Sequence, residues 1–197
     1  MKTFRLGLTG SIGMGKSTTA DFFRRAGLPV WDADAAVHRL YASGGAGVAP
    51  LGAVFPAAVQ DGSVSRETLK RLLQADPAQL PRLEAIIHPL VAQDRADFLQ
   101  ECTADIAVFD IPLLFEKKSE SEMDAVLLVT APAELQRARV LARPGMTEAQ
   151  FALILARQMP DSEKRARANH IIETLSLRAV EAAVEALIAY IRETRHA

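Results

Sequence analysis

The glycine-rich stretch Gly10–Thr18, with the sequence GSIGMGKST, constrains the fold more than any other part of the chain. It fits the pattern Gly-x-x-x-x-Gly-Lys-Ser/Thr at every position. The apolar residues of Phe4–Thr9 predict a buried strand before it, and the apolar spacing in Ser17–Ala26 predicts a helix that ends at Gly27. A strand, a glycine loop and a helix in this order form a phosphate-binding loop. A glycine-rich turn that binds nothing is the alternative, and the complete match disfavours it.

The residue types of this loop suit a nucleoside triphosphate. Glycines let backbone N–H groups turn towards phosphate oxygens without a Cβ in the way, and the helix N-terminus adds a partial positive charge. Lys16 can reach the β- and γ-phosphates, and the Ser17 hydroxyl can bind Mg²⁺. The predicted ATP-binding residues are Ser11, Ile12, Gly13, Met14, Gly15, Lys16, Ser17 and Thr18.

Acidic residues follow two later predicted strands. Leu28–Trp31 predicts a second strand, followed by Asp32 and Asp34, and Ile106–Phe109 predicts a third, followed by Asp110. Ligands of open α/β sheets bind beyond the carboxyl ends of parallel strands, so we expect these carboxylates beside the loop. A helix N-cap is the alternative for one of the first two aspartates. The predicted magnesium ligands are Ser17, with Asp32 or Asp110 as its acidic partner.

The rest of the chain alternates strands and helices. Ala125–Val129 predicts a fourth strand and His170–Glu173 a fifth, which indicates an α/β protein with three layers and a five-stranded parallel sheet. We predict a nucleotide-binding core of residues 1–39, 103–136 and 168–197. Residues 40–102 predict a helical insertion that is too long for a minimal crossover, with a loop over residues 43–56 and a break or kink near Pro89.

Residues 137–167 predict a small lid over the nucleotide. This segment has seven basic and three acidic residues. We expect Arg137 and Arg143 to reach the phosphates, and Lys164 and Arg167 to lie on a solvated helix face.

The composition excludes several classes of function. The formal net charge is −1, so no bulk field attracts nucleic acid or a membrane surface. Cys102 is the single cysteine, so no internal disulfide can form. Residues 1–4 lead directly into the first strand without a signal peptide, and no apolar run is long enough to span a membrane. We expect a cytoplasmic protein that acts on small molecules as a monomer or weak homo-oligomer.

Taken in order, these motifs resemble the dephospho-coenzyme A kinase family over nearly the whole chain. The motifs that carry the resemblance are Leu8–Ser17, Asp32–Asp34, His88-Pro89, Pro112–Glu116 and Arg157-Gln158. The resemblance implies a P-loop nucleotide-kinase core, a helical coenzyme-binding insertion and a lid. It also implies transfer of the γ-phosphoryl group of ATP to the ribose 3′-hydroxyl of dephospho-CoA.

The resemblance further implies roles for individual residues. Asp34 would be the catalytic base, Lys16 would hold the phosphates, and Arg143 would be the lid arginine. The residues expected near the acceptor are Thr9, Asp34, His88, Pro112, Leu114 and Glu116. The chain departs from the family at residues 168–176, which lack the asparagine and glycine that often contact adenine. Backbone groups are expected to serve there instead.

Two other functions compete with this interpretation. A P-loop kinase for a sugar or a nucleotide would share the features up to Asp34 and differ in the insertion. A GTPase-type switch would need an Asn-Lys-x-Asp motif to bind guanine, and the chain contains no Asn-Lys pair. A purely structural protein is disfavoured by the complete phosphate-binding loop.

Overall fold

The structure is a computed structural model that describes residues 2–196. It contains two compact units, one formed by Met1–Val30 with Thr103–Ala197 and the other by Trp31–Cys102. The strands are β1 (Phe4–Thr9), β2 (Val30–Asp32), β3 (Val59–Gln60), β4 (Ser63–Val64), β5 (Ile106–Asp110), β6 (Ala125–Thr130) and β7 (His170–Glu173). The helices are α1 (Lys16–Arg25), α2 (Ala33–Tyr41), α3 (Val48–Val54), α4 (Arg66–Ala75), α5 (Leu80–Glu101), α6 (Ala133–Leu141), α7 (Glu148–Leu155), α8 (Asp161–Arg167) and α9 (Leu177–His196).

The main sheet has five strands, as the sequence predicted, and their order is β2-β5-β1-β6-β7. β1 pairs in parallel with β5 on one side and with β6 on the other, and β6 pairs in parallel with β7. Every residue of β5 and β6 is buried, which explains why their sequences are continuous apolar runs rather than alternating ones. Leu8 is in register with Asp110, so the phosphate-binding loop and this aspartate leave the sheet at the same edge.

The core of the first unit lies between the sheet and two helices. Phe23 of α1, Leu8 of β1, Leu127 of β6 and Ile191 of α9 belong to one buried apolar cluster. Helix α1 ends as predicted, because Gly27 has a φ of 82° that an L side chain rarely adopts. Within residues 2–196, no helix combines the length and apolar character needed to cross a membrane.

The second unit has its own apolar core, which includes Leu40, Leu51, Leu69 and Ile87. A polar contact adds to it, because the Trp31 indole N–H donates to Asp94 over 2.7 Å. Helix α4 begins after the N-cap Ser65, whose hydroxyl accepts the Thr68 N–H. The second unit contains all of residues 40–102.

Three features of this unit differ from the sequence prediction. The predicted loop over residues 43–56 contains α3, which accommodates Pro50 because a proline in the first helical turn leaves no required N–H unpaired. The hairpin of β3 and β4 was not predicted from the sequence. Asp61 and Gly62, which lie between these two strands, have the positive φ angles of a tight turn. Helix α5 also continues through Pro89 as one element, so the predicted break is absent.

Candidate active site

The backbone of the phosphate-binding loop is fixed by its surroundings. Gly13 and Gly15 have φ angles of 78° and 85°, a conformation that favours glycine. A Cβ on Gly13 would lie 2.5 Å from a methyl of Val140, and one on Gly15 would lie 3.1 Å from Thr174. Only glycine therefore fits at these positions, for reasons of conformation and of space.

Lys16 forms an ion pair with Asp110 at the carboxyl end of β5. The side chains of Lys16 and Asp110 are only 17% and 3% exposed, so the pair is largely removed from water. Ser17 and Thr18, by contrast, are exposed in the first turn of α1. The loop thus presents a cation held by a buried carboxylate beside two accessible hydroxyl groups.

The turn after β5 contains three of the residues predicted near the acceptor. The Thr9 hydroxyl donates to the backbone oxygen of Pro112 over 3.2 Å, which ties this turn to the end of β1. Leu114 is fully buried, and the small size of Gly7 makes room for its side chain. The structure therefore brings Thr9 and Pro112 together and places Leu114 in the core beneath them.

Glu116 is part of a buried network rather than an exposed site. One carboxylate oxygen lies 2.9 Å from Nζ of Lys164, a side chain with 0% exposure, and accepts the Met159 N–H over 2.8 Å. Burial raises the pKa of Glu116, but the hydrogen bonds from Lys164 and Met159 outweigh it and hold the pKa below its ordinary value. Lys164 was expected on a solvated face, and its burial corrects that interpretation.

The arginines of the predicted lid have different partners. Arg137 pairs with Glu148 of α7, within the lid itself. Arg139 donates to the hydroxyl of Thr174 over 2.8 Å, and Arg143 is exposed at the end of α6. Of the two arginines expected over the phosphates, Arg143 thus remains accessible while Arg137 is engaged by a carboxylate.

A cavity of about 370 Å³ opens beside the phosphate-binding loop. Its lining includes two glycines of the loop, two arginines and two leucines. They are Gly13, Gly15, Arg139, Arg143, Leu175 and Leu177. Leu175 and Leu177 are 56% and 67% exposed, so they present apolar surface at its edge. The cavity joins a phosphate-binding loop to cations and an apolar surface, which suits a nucleotide.

Thr174 connects the parts of the molecule around this cavity. Its N–H donates to the backbone oxygen of Thr130 over 2.8 Å, and its hydroxyl lies 3.0 Å from the backbone oxygen of Met14. Arg139 and Thr174 were not predicted as site residues. The one signal was the departure from the family pattern at residues 168–176, which pointed to the right segment but not to these contacts.

The second unit contains the other predicted site residues. Asp32 is the N-cap of α2, because its carboxylate accepts the Ala35 N–H over 2.9 Å. Asp34 is exposed in the first turn of that helix. The His88 side chain is 59% exposed and lies 3.8 Å from Glu84. The predicted alternative of a helix cap therefore applies to Asp32 and leaves the carboxylate of Asp34 accessible.

Comparisons with known proteins give the same family over nearly the full length of the chain. The protein-family model described as dephospho-CoA kinase matches residues 4–177. A protein of Cereibacter sphaeroides named dephospho-CoA kinase is 68% identical over 197 residues, which are 100% of both chains. Its namesake in Ruegeria pomeroyi is 60% identical over 190 residues, or 96% of each chain. The crystal structure of TT1252 from Thermus thermophilus is similar at a TM-score of 0.84 and 39% identity, covering 96% of this chain and 98% of that one.

Proposed function

Since the chain belongs to the dephospho-CoA kinase family, we propose how its residues divide the work of the reaction. The chain is an enzyme that transfers a phosphate from ATP to dephospho-CoA and gives CoA. The γ-phosphoryl group passes to the ribose 3′-hydroxyl, because that is where CoA has a phosphate and dephospho-CoA has a hydroxyl. Phosphoryl transfer requires mainly positioning and charge stabilisation from the protein.

The phosphate-binding loop holds the triphosphate of ATP in this proposal. The backbone N–H groups of Gly13 and of residues 15–18, together with the ammonium group of Lys16, face the phosphates, with the N-terminus of α1 adding its partial charge. The adenosine occupies the cavity of about 370 Å³, with its base against Leu175 and Leu177. The observation that carries this proposal is that one cavity contains the loop glycines, two arginines and this apolar surface.

The donor set at the loop suits Mg²⁺ bound together with ATP. Mg²⁺ prefers oxygen ligands, retains several waters and typically takes only one or two protein side chains beside the substrate phosphates. The exposed hydroxyl of Ser17 and the carboxylate of Asp110 fit that requirement, with Asp32 as the alternative acidic partner. The ion would neutralise charge on the phosphates. Among residues 2–196 no cluster of three or more histidine, cysteine or acidic side chains is poised to hold a metal.

We assign the proton transfer to Asp34. Its exposed carboxylate accepts the proton of the acceptor hydroxyl or orients that hydroxyl for attack. His88 is the proposed contact for a phosphate or the ribose of the acceptor, where a ring N–H can donate. Thr9 and Pro112 position the acceptor at the end of β1, and Leu114 and Glu116 support the turn from below.

Arg143→Ala is expected to lower kcat by about tenfold to a hundredfold and to change the KM for ATP much less. The reason is that an exposed guanidinium at the cavity edge adds most when the transferring group carries its greatest charge. Steady-state kinetics with ATP as the varied substrate measure both constants. Arg137→Ala should have the smaller effect, since Glu148 engages that guanidinium. Equal kcat in Arg143→Ala and the parent protein would exclude the proposed role.

The acceptor panel is the direct test of the substrate. We expect kcat/KM for dephospho-CoA to exceed the values for AMP, adenosine and shikimate by at least about a hundredfold. The physical reason is that contacts with the remote parts of a long acceptor position its hydroxyl, so truncated acceptors lose kcat as well as affinity. The measurement is ADP release with each acceptor at saturating ATP. Comparable kcat/KM on AMP and dephospho-CoA would instead favour a nucleotide kinase.

The cellular location, the oligomeric state and the partners of the enzyme are also part of the proposal. We infer a cytoplasmic enzyme that acts as a monomer or weak homo-oligomer on two small-molecule substrates. It needs neither nucleic acid nor a membrane as a partner, consistent with the formal net charge of −1.

A further inference from the structure

Two glutamines hold Ile12 of the phosphate-binding loop from opposite sides. The Ile12 N–H, which belongs to the Ser11–Ile12 peptide group, donates to Oε1 of Gln158 over 3.1 Å. The backbone oxygen of Ile12, which belongs to the Ile12–Gly13 peptide group, accepts from Nε2 of Gln136 over 2.7 Å. Both side chains come from outside the loop, and they fix two successive peptide groups that meet at the Cα of Ile12.

The orientation of each glutamine amide is set by its partner. A backbone N–H can only donate, so Gln158 must present its oxygen to Ile12. A backbone carbonyl can only accept, so Gln136 must present its nitrogen. The two side chains therefore have opposite hydrogen-bonding roles, although they are chemically identical.

The two glutamines bracket the segment that carries the arginines. Gln136 is 6% exposed in α6, three residues before Arg139, whereas Gln158 follows α7. Between them, α7 has one buried residue, Phe151, and is otherwise largely exposed. The part of the lid between the two glutamines is thus fastened to the loop at both of its ends and packed less tightly in between.

The attachment acts on the part of the loop where the backbone is most constrained. Gly13 follows Ile12 directly, and a Cβ on it would lie 3.0 Å from the backbone oxygen of Gln136. A change in the φ and ψ angles of Ile12 would therefore disturb both glutamine bonds and alter the packing of α6 against Gly13. The conformation of the loop and the position of the segment between the two glutamines are accordingly linked through the backbone of Ile12.

We propose that Gln136 and Gln158 are positioning residues that couple the phosphate-binding loop to the lid. Phosphates bound to the loop hold Ile12 in place, and the two glutamines pass that constraint to the segment with Arg139 and Arg143. Neither glutamine touches the reacting atoms. The inference rests on the proposed function, because it takes the loop to be the site of ATP phosphates.

A double-mutant cycle tests the coupling. Gln136→Met and Gln158→Met each remove one bond with little change of volume, and each should lower kcat by about fivefold to tenfold. The double variant should lose no more than about threefold beyond the weaker single variant, because loss of either bond already lets Ile12 change its φ and ψ angles. The KM for dephospho-CoA should stay within about twofold of the parent value, since the acceptor is not involved. Thermal unfolding of each variant verifies that it is folded.

Glutamate substitutions provide the matched control. Gln158→Glu keeps an oxygen acceptor for the Ile12 N–H, whereas Gln136→Glu removes the donor and places a carboxylate against a carbonyl. The same chemical change should therefore be tolerated better at position 158, by about fivefold or more in kcat. A loss in the double methionine variant equal to the product of the single losses, or unchanged kcat in both single variants, would overturn the coupling. Parent protein that fails to phosphorylate dephospho-CoA would instead overturn the proposed function.

Discussion

Lys16→Ala should lower kcat/KM for phosphoryl transfer by about a hundredfold to a thousandfold. Loss of one preorganised group that stabilises charge at a reacting centre typically has an effect of this size. Lys16 is 17% exposed and is held at the end of the loop by Asp110, so its ammonium group has a fixed position beside the loop. The measurement is ADP release with dephospho-CoA, compared with the parent protein at the same ATP concentration.

A second effect of this substitution has to be separated from the first. Removing Lys16 leaves the carboxylate of Asp110 buried without its cation, which is destabilising by about 3–5 kcal/mol for a buried pair. The double variant Lys16→Ala/Asp110→Asn removes the charge as well and should recover much of the unfolding free energy. It should not recover transfer activity. Activity of Lys16→Ala within a few-fold of the parent value would contradict the assignment of the loop.

Asp34→Asn is expected to lower kcat by about 10²–10⁴ while the affinity for ATP stays unchanged. A positioned general base contributes a rate factor of this size, and asparagine cannot accept the proton. The substitution preserves shape, and Asp34 is exposed rather than used as a cap. Pre-steady-state measurement of the transfer step, together with ATP binding at equilibrium, distinguishes the two constants.

Asp32 offers the control for this variant. Asp32→Ala removes the N-cap of α2 and should destabilise the protein by about 1 kcal/mol, whereas Asp32→Asn keeps a capping oxygen. If Asp34→Asn lowered the melting temperature in the manner of Asp32→Ala and left kcat intact, Asp34 would be a structural residue of the helix start.

The sheet could be predicted because its signals are local. β5 and β6 are largely apolar strands of five and six residues, and β1 leads into a loop with a defined pattern of glycines. The errors arose where proline and glycine were taken as breaks. Pro89 lies inside α5, where packing of the second unit outweighs the loss of one backbone hydrogen bond, whereas Pro50 lies in the first turn of α3, where no such bond is lost.

The candidate site could be predicted only in part, for a different reason. The loop and the aspartates are recognisable because each role requires a residue type at a short spacing. The hydrogen-bond partners of these residues could not be recognised from the sequence. Lys16 and Asp110 are 94 residues apart, and Arg139 and Thr174 are 35 residues apart. The burial of Lys164 was missed because lysine is usually exposed, and only the contact with Glu116 makes its burial favourable.

In the proposed site, the carboxylate of Asp110 would compete with the substrate for the Lys16 ammonium group. A phosphate that approached this group would share it with Asp110, so part of the new attraction would offset a weakened existing contact. If Mg²⁺ accompanied the phosphates, as we propose, Asp110 would gain a second cationic neighbour at the same time. The pair would then favour magnesium-bound ATP over the bare polyanion, because the bare polyanion would weaken the Lys16–Asp110 contact without supplying a cation in return.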